Sequence, residues 1–301
     1  MRWVVTGAAG FIGSHLSEAL RARGDDVVAV DCFTDYYDPA EKEENARGLD
    51  VRRVDLADES LELVGVDGVF HLAGQPGVRS FGDVFPLYLR RNVLATQRVL
   101  ETASSAGVRV VYASSSSVYG NAERYPTPED TVPQPISPYG ITKLACEHLA
   151  RAYGLDAVGL RYFTVYGPRQ RPDMLFRRLC DALAAGGTIE LYGSGEQSRS
   201  FTEVADVVGA TIAAMEAAPA GALYNVGGGE EASVLEAIAL LESVSGLTLD
   251  VRHVDPARGD VRRTKADVSR IRDALGWEPR VPLADGLSRM WAWASARVAT
   301  P

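Results

Sequence analysis

The chain has 301 residues, 46% of them hydrophobic and 24% charged, with a formal net charge of −9. That is enough apolar material for one large α/β domain, or for a nucleotide domain with a smaller lobe, and the acidic balance offers no basic field to collect nucleic-acid phosphates. Cys32, Cys146 and Cys180 lack CxxC or Cys/His spacing, which argues against a zinc site or a disulfide framework and leads to the expectation of a soluble, cytoplasmic protein.

Residues 1–5 run straight into a glycine turn, so the N-terminus reads as a first strand and not as a signal peptide. No apolar stretch reaches membrane-spanning length. Apolar strands are predicted at 3–6, 27–31, 51–53, 68–72, 109–113 and 157–161, with helices between them such as 13–23 and 87–106. Strands this apolar, alternating with helices, imply a parallel sheet covered on both faces and wound in both directions from its centre. After residue 167 a polar, proline-rich stretch, Gly167-Pro168-Arg169-Gln170-Arg171-Pro172-Asp173, marks a lobe boundary. The expected division is a dinucleotide-binding domain at 1–167 with a segment returning to it at about 201–227. A substrate lobe is expected from 168–200 and 228–301, with helices at 174–185 and 232–245 and strands at 189–192, 223–226 and 249–253.

Gly7, Gly10 and Gly13, with Phe11 and Ile12 between the last two, form a GxxGxxG turn after the first strand and before a helix. Such a turn lets the backbone approach a pyrophosphate held at the helix N-terminus. Asp31 ends the second strand, where a carboxylate takes adenosine ribose hydroxyls. No Arg or Lys follows it directly, so NAD is favoured over NADP. Asp55, followed by Leu56, reads equally as a contact to the adenine amino group and as an ordinary N-cap. Small residues through Ala73 close the fourth strand, where backbone passes close to a dinucleotide.

Ser115, Ser116 and Ser117 end the fifth strand, and Tyr139-Gly-Ile-Thr-Lys143 opens a helix about twenty residues later. Positions i and i+4 share a helix face, so Tyr139 and Lys143 point together into the cleft. A phenol is a poor base at neutral pH; an adjacent ammonium stabilises the phenolate, and a serine hydroxyl beside it orients a substrate alcohol.

The ordered motifs TGAAGFIGSHL, HLAGQPGVR, NVLATQRVLE, SSSSVYG, YGITK, LRYFTVYGPRQRPDM, YNVGGG and ARGDVRRTKAD cover nearly the whole chain. In them the chain resembles the extended short-chain dehydrogenase/reductase family and its nucleotide-sugar epimerases and dehydratases. The resemblance implies a Ser115, Tyr139, Lys143 triad and an Asn92 that orders the active-site helix. It also places Ala73, Gln75 and Asn92 with the glycine turn, Asp31, Asp55 and Leu56 around NAD.

Members of this family first oxidise a sugar hydroxyl to a 4-keto sugar. Dehydratases carry Asp-Glu, and UDP-glucuronate decarboxylases a Glu, where this chain has Ser116 and Ser117. Without a carboxylate there, 4-epimerisation is the implied outcome. The closest resemblance is to the UDP-glucuronate 4-epimerase branch, in which hydroxyls of the serine run and Thr164 hold the sugar carboxylate, with Arg171 as an anion contact. A 4-keto hexuronate is a β-keto acid, and holding its carboxylate by neutral hydroxyls guards it against loss of CO2.

Arg199 and Arg258 are the expected diphosphate clamps, because a guanidinium forks onto phosphate; Asp260 is the expected partner of the uridine ribose. Where the family commonly has Arg-Asp-Phe, this chain has Arg199-Ser200-Phe201. Arg169, Arg177 and Arg178 read as solvated surface. A UDP-hexose 4-epimerase and a UDP-glucuronate decarboxylase compete with the main reading, as does a non-catalytic NAD-binding regulator, although regulators of this kind typically lose the tyrosine or lysine. Family resemblance also implies a homodimer through helices 87–106 and 139–153.

Overall fold

The structure, a computed structural model, describes residues 1–78, 80–255 and 261–298. The first half runs β1 (Arg2–Thr6), α1 (Phe11–Ala22), β2 (Asp26–Asp31), α2 (Pro39–Asn45), β3 (Val51–Arg53) and β4 (Gly68–His71). It continues through α3 (Phe85–Tyr88), α4 (Ala95–Ala106), β5 (Arg109–Ser115), α5 (Pro138–Tyr153) and β6 (Ala157–Tyr162). The remainder is β7 (Thr164–Tyr166), α6 (Leu175–Ala185), β8 (Thr188–Tyr192), β9 (Ser198–Glu203), α7 (Val204–Ala217), β10 (Leu223–Val226), β11 (Glu231–Ser233), α8 (Val234–Ser245), β12 (Asp250–Val254), β13 (Arg263–Thr264), α9 (Ser269–Leu275) and α10 (Leu283–Val298).

Seven parallel strands form one sheet in the order β10-β6-β5-β4-β1-β2-β3. The chain winds outward from β1 to β3, then returns to place β4 on the other side of β1, so the strand order reverses between β1 and β4. Crevices at such a reversal, outside the strand C-termini, are where α/β sheets bind ligands. Alternation along each strand explains the two covered faces. Trp3, Val5, Phe70, Val111 and Leu160 point to one side and pack with α1 and α7, whereas Val4, Val69, Val110 and Tyr112 point to the other and meet α4 and α5.

The smaller lobe has its own core. Phe176, Leu179, Leu191, Phe201, Leu241 and Leu287 join α6, α8 and α10 to β8 and β9, and the Phe176 and Phe201 rings sit 4.8 Å apart. β9 is paired by β7 and β13 in parallel and by β11 antiparallel. No helix among the described residues is long and apolar enough to cross a membrane.

One predicted helix departs from expectation. Residues 87–106 are not a continuous α-helix: α3 leads into a π-helical turn, Leu89–Leu94, before α4 begins. A π turn inserts an extra residue and rotates the next stretch of helix, commonly at functional sites. Here it carries Asn92.

Under the sheet's switch point, the His71 ring bridges Thr6 Oγ1 (2.8 Å) and Thr96 Oγ1 (3.0 Å). Burial, with a smaller contribution from the Lys143 charge, pushes its pKa down to about 3. The unfolded chain binds a proton at this ring below about pH 6.5, and the folded chain does not. The contribution to stability is complete above that pH and is lost as pH falls toward 3. Urea titrations of the wild type should therefore lose up to about 1.4 kcal/mol per pH unit below pH 6.5 from this ring. His71→Gln should show a shallower dependence, and an unchanged slope would refute the assignment.

Candidate active site

The first wall of the cleft is backbone. Gly7 has φ of +71°, and a Cβ there would lie 2.8 Å from the Ala73 amide nitrogen. A Cβ on Gly13 would fall 2.0 Å from the Gly7 carbonyl oxygen. Only glycine lets α1 start this close to β1. Gly10, the N-cap of this 12-residue helix, has no side chain to occupy the first-turn amides, and Gly10, Phe11, Ile12 and Gly13 all face the cleft. Uncapped amides at a helix N-terminus attract a pyrophosphate.

Asp31 accepts from the Ala9 amide (3.1 Å) and the Phe33 amide (2.8 Å), which aims its carboxylate at the cleft. Asp55 accepts from the Ala57 amide at 3.0 Å and takes Arg90 at 3.2 Å, and it lines the cleft as well. No helix follows it directly, so that bond to Ala57 closes a turn and is not a helix N-cap. Leu56, Ala73 and Gln75 line the same stretch. The cradle and the carboxylate together fit a dinucleotide. The local charge is less acidic than the residues next to Asp31 in sequence indicate, because Lys42 and Arg91 also line this end. Lys42 is held by Thr34 O and Oγ1 at 2.6 and 2.7 Å, and Arg91 reaches the Cys32 sulfur at 3.5 Å.

The second wall is α5. Ser137 caps the Gly140 amide at 3.1 Å and Pro138 occupies the first turn, so the helix starts just where Tyr139 must face inward. Lys143, one turn on, is buried and donates to the Ala113 carbonyl at 2.9 Å, with its nitrogen 5.9 Å from the Tyr139 ring centre. The Tyr88 ring meets Tyr139 edge-on at 6.3 Å. Ser115 Oγ accepts the Ser117 amide at 3.1 Å, which leaves its hydrogen to donate, and Ser115, Ser116 and Ser117 line the cleft with Tyr139.

Asn92 departs from the cofactor role. It is fully buried and is not among the described cleft-lining residues. Its amide oxygen accepts the Gln75 amide (2.7 Å), and its amide nitrogen donates to Gln75 O (3.1 Å) and Thr142 Oγ1 (3.0 Å). With its donors and acceptor spent this way, it ties the loop after β4 to α5.

The third wall comes from the smaller lobe. Thr164, Arg171 and Arg199 line the cleft. Arg171 forks onto Asp173 at 3.0 and 3.1 Å, and Tyr36 donates to the same carboxylate at 3.2 Å. Arg199 lies along β9 and donates to Val261 O at 2.6 Å. Arg258 and Asp260 lie outside the described residues.

Two arginines read as solvated surface are not. Arg177 is 5% exposed, forking onto Glu41 (2.9 and 3.0 Å) and reaching Asp181, so it joins α6 to α2. Arg178 lines the cleft and donates to Glu190 O at 3.2 Å. Arg177 turns inward because its partner Glu41 lies on α2, far from it in sequence. Arg169 pairs with Glu18 at 2.6 Å. Tyr36 and Tyr37, in the stretch DCFTDYYDP, also line the cleft.

The arrangement can hold a dinucleotide against β1 and β4 and present a phenol, an ammonium and several hydroxyls to a second ligand. The model of the NAD dependent epimerase/dehydratase family matches residues 3–227. The chain is 40% identical to an uncharacterised UDP-glucose epimerase of Bacillus subtilis, over 98% of each protein. It is 34% identical to a UDP-glucuronate 4-epimerase of Thermodesulfobacterium geofontis, over 98% of this chain and 97% of the relative. The crystal structure of UDP-glucuronic acid 4-epimerase from Bacillus cereus, in complex with UDP-glucuronic acid and NAD, superposes with a TM-score of 0.95. That match has 38% identity and covers 99% of this chain and 100% of the other.

The glycine contacts make a direct prediction. Gly13→Ala forces the Gly7 carbonyl away, at a cost of about 1–3 kcal/mol. Dinucleotide affinity measured by calorimetry should fall roughly tenfold or more, and wild-type affinity would contradict the close-approach argument.

Proposed function

The chain belongs to the NAD dependent epimerase/dehydratase family, and we propose that it inverts C4 of UDP-glucuronate to give UDP-galacturonate. The observation that carries this reading is the serine run. Hydroxyls at Ser115, Ser116 and Ser117, with Thr164, line the cleft that holds Tyr139 and Lys143. A dehydratase or decarboxylase needs a carboxylate at that run. The lobe-boundary carboxylate lining the cleft, Asp173, is engaged by Arg171 and Tyr36.

In this reading the glycine turn binds the pyrophosphate of NAD and Asp31 the adenosine ribose. Bound NAD supplies a hydride acceptor and, later in the cycle, the donor. Tyr139, as phenolate, takes the proton from the sugar C4 hydroxyl while Ser115 donates a hydrogen bond to that oxygen. Lys143 holds the phenolate charge by proximity and is itself fixed by the Ala113 carbonyl. The 4-keto sugar turns over in the cleft and regains its proton from Tyr139 with C4 inverted. Throughout, the serine hydroxyls and Thr164 hold the C5 carboxylate out of line with the ketone π system, which suppresses loss of CO2. Arg199 and Arg258 bind the diphosphate, and Asp260 the uridine ribose.

A second reading has its own support. Arg171 is already charge-matched by Asp173, so its attraction for a sugar carboxylate is reduced, and a hydroxyl-lined wall accepts a neutral C6 hydroxymethyl. UDP-glucose is therefore the competing substrate.

The protein is read as a homodimer that works in the cytoplasm. Leu89, Leu94 and Ile141 are 44%, 38% and 50% exposed along the α3–α4 and α5 faces, and apolar exposure of this kind marks an association surface. The three thiols are free, as a reducing compartment requires. Ile141→Glu should shift the scattering mass of a sized peak from two chains to one; an unchanged mass would reject this face.

The chemistry is tested by incubating the enzyme with each sugar nucleotide and following products by proton NMR. UDP-galacturonate from UDP-glucuronate is expected; UDP-xylose or a 4-keto pentose without UDP-galacturonate would overturn the reading. Tyr139→Phe should lower kcat by about 10²–10⁴-fold.

A further inference from the structure

Behind the cleft lies a buried ion pair that the proposed reaction does not use. Glu147 sits on α5 one turn beyond Lys143 and two turns beyond Tyr139, so the three share one face of the helix. Its side chain is 8% exposed and that of its partner Arg161, on β6, is 4% exposed. Arg161 Nε and Nη2 donate to the two carboxylate oxygens at 2.9 and 2.7 Å. Ser114, on β5, donates its hydroxyl hydrogen to the same carboxylate. Neither Glu147 nor Arg161 is among the described residues that line the cleft, whereas Ser114 is.

The contacts lead back to the site from both partners. Ala113 and Ser114 are consecutive on β5. The first accepts Lys143 through its carbonyl, and the second reaches Glu147 through its hydroxyl. Two successive residues of the strand are thus pinned to two successive turns of the helix. From the other side, Arg161 Nη1 donates to the Tyr119 hydroxyl at 2.7 Å, and Tyr119 donates to Asn225 Oδ1 at 2.7 Å. Tyr119 closes the turn that carries Ser116 and Ser117. A buried ion pair is a weak source of stability, since apolar residues of equal volume often serve as well or better. What charged, directional bonds add is a fixed geometry.

We infer that Glu147 is a positioning residue: through Ser114 and Arg161 it sets the gap between α5 and the end of β5, and with it the placement of Tyr139 and Lys143 against the serine run. The inference rests on the reading that this pair and these serines perform the proposed epimerisation. A misplacement of about 1 Å at such a site costs on the order of 10²-fold in rate.

The test uses purified holoenzyme and three variants, Ser114→Ala, Glu147→Gln and the double variant, assayed with UDP-glucuronate and UDP-glucose in parallel. Ser114→Ala leaves the ion pair intact and should fold normally. We expect its kcat to fall roughly tenfold or more, with KM, bound NAD per chain and melting temperature unchanged. Glu147→Gln should lose at least as much kcat and should also melt earlier, because Arg161 loses its counter-charge. The double variant should lose no more kcat than Glu147→Gln alone, since both act through one linkage. Single variants with wild-type kcat, additive losses, or losses that only track missing NAD would overturn the inference. A crystal structure of Ser114→Ala gives a readout independent of the sugar, in which the 2.9 Å Lys143–Ala113 contact should lengthen. An unmoved α5 there overturns the positioning role, whereas failure of the wild type to epimerise either sugar overturns only the proposed function.

Discussion

The seating of α5 on the end of β5 is the constraint on which the rest of this site depends. A helix laid on a sheet by apolar packing alone can slide, because dispersion contacts have little direction. Here the first turns of α5 are held by bonds that do have direction: Lys143 to the Ala113 carbonyl, Thr142 to Asn92, and the Ser137 cap on Gly140. Asn92 reaches Thr142 because the π turn before α4 aims it there. The loop after β4 is fastened by the same side chain through Gln75. One amide therefore links both ligand walls, which is why a residue expected to touch cofactor turns out to be spent on the framework.

Charge is distributed over the cleft in a way that suits its chemistry. The dinucleotide end combines uncapped helix amides and a carboxylate, with Lys42 and Arg91 close by. At the reacting end the hydroxyls of the serine run stand in the same cleft as Lys143, and Arg171 and Asp173 compensate each other. A keto sugar acid placed there meets hydroxyls, and no carboxylate of the serine run can act as a general acid or base on it. In the proposed reaction, three small side chains at the end of one strand distinguish inverting a sugar from eliminating water or CO2.

The two lobes are joined by apolar and polar contacts: Ile271 and Trp277 pack into the core on the α1–α7 face of the sheet, and Phe163 clusters with Ala266. Arg177 forks across to Glu41, and Tyr36 reaches Asp173. These contacts tie the segment after β2, which covers the adenosine end, to the lobe that faces the sugar.

The repeating pattern of strand, turn and helix was legible in the sequence because it depends on local chemistry. Apolar runs of four to six residues and glycines at turn positions each act within a few residues. The order of Gly7, Asp31, Ser115, Tyr139 and Lys143 along that pattern located their sites at strand ends and at helix starts, since a parallel doubly wound sheet brings all strand C-termini to one edge. Other features depended on residues far apart in the chain. The burial of Arg177, the place of Arg178 on the cleft wall, the bond from Tyr36 to Asp173, and the Glu147–Arg161 pair that joins α5 to β6 all arise when separate elements pack. A charged side chain looks the same in sequence whether water or a carboxylate on another element receives it, and only the tertiary structure decided which.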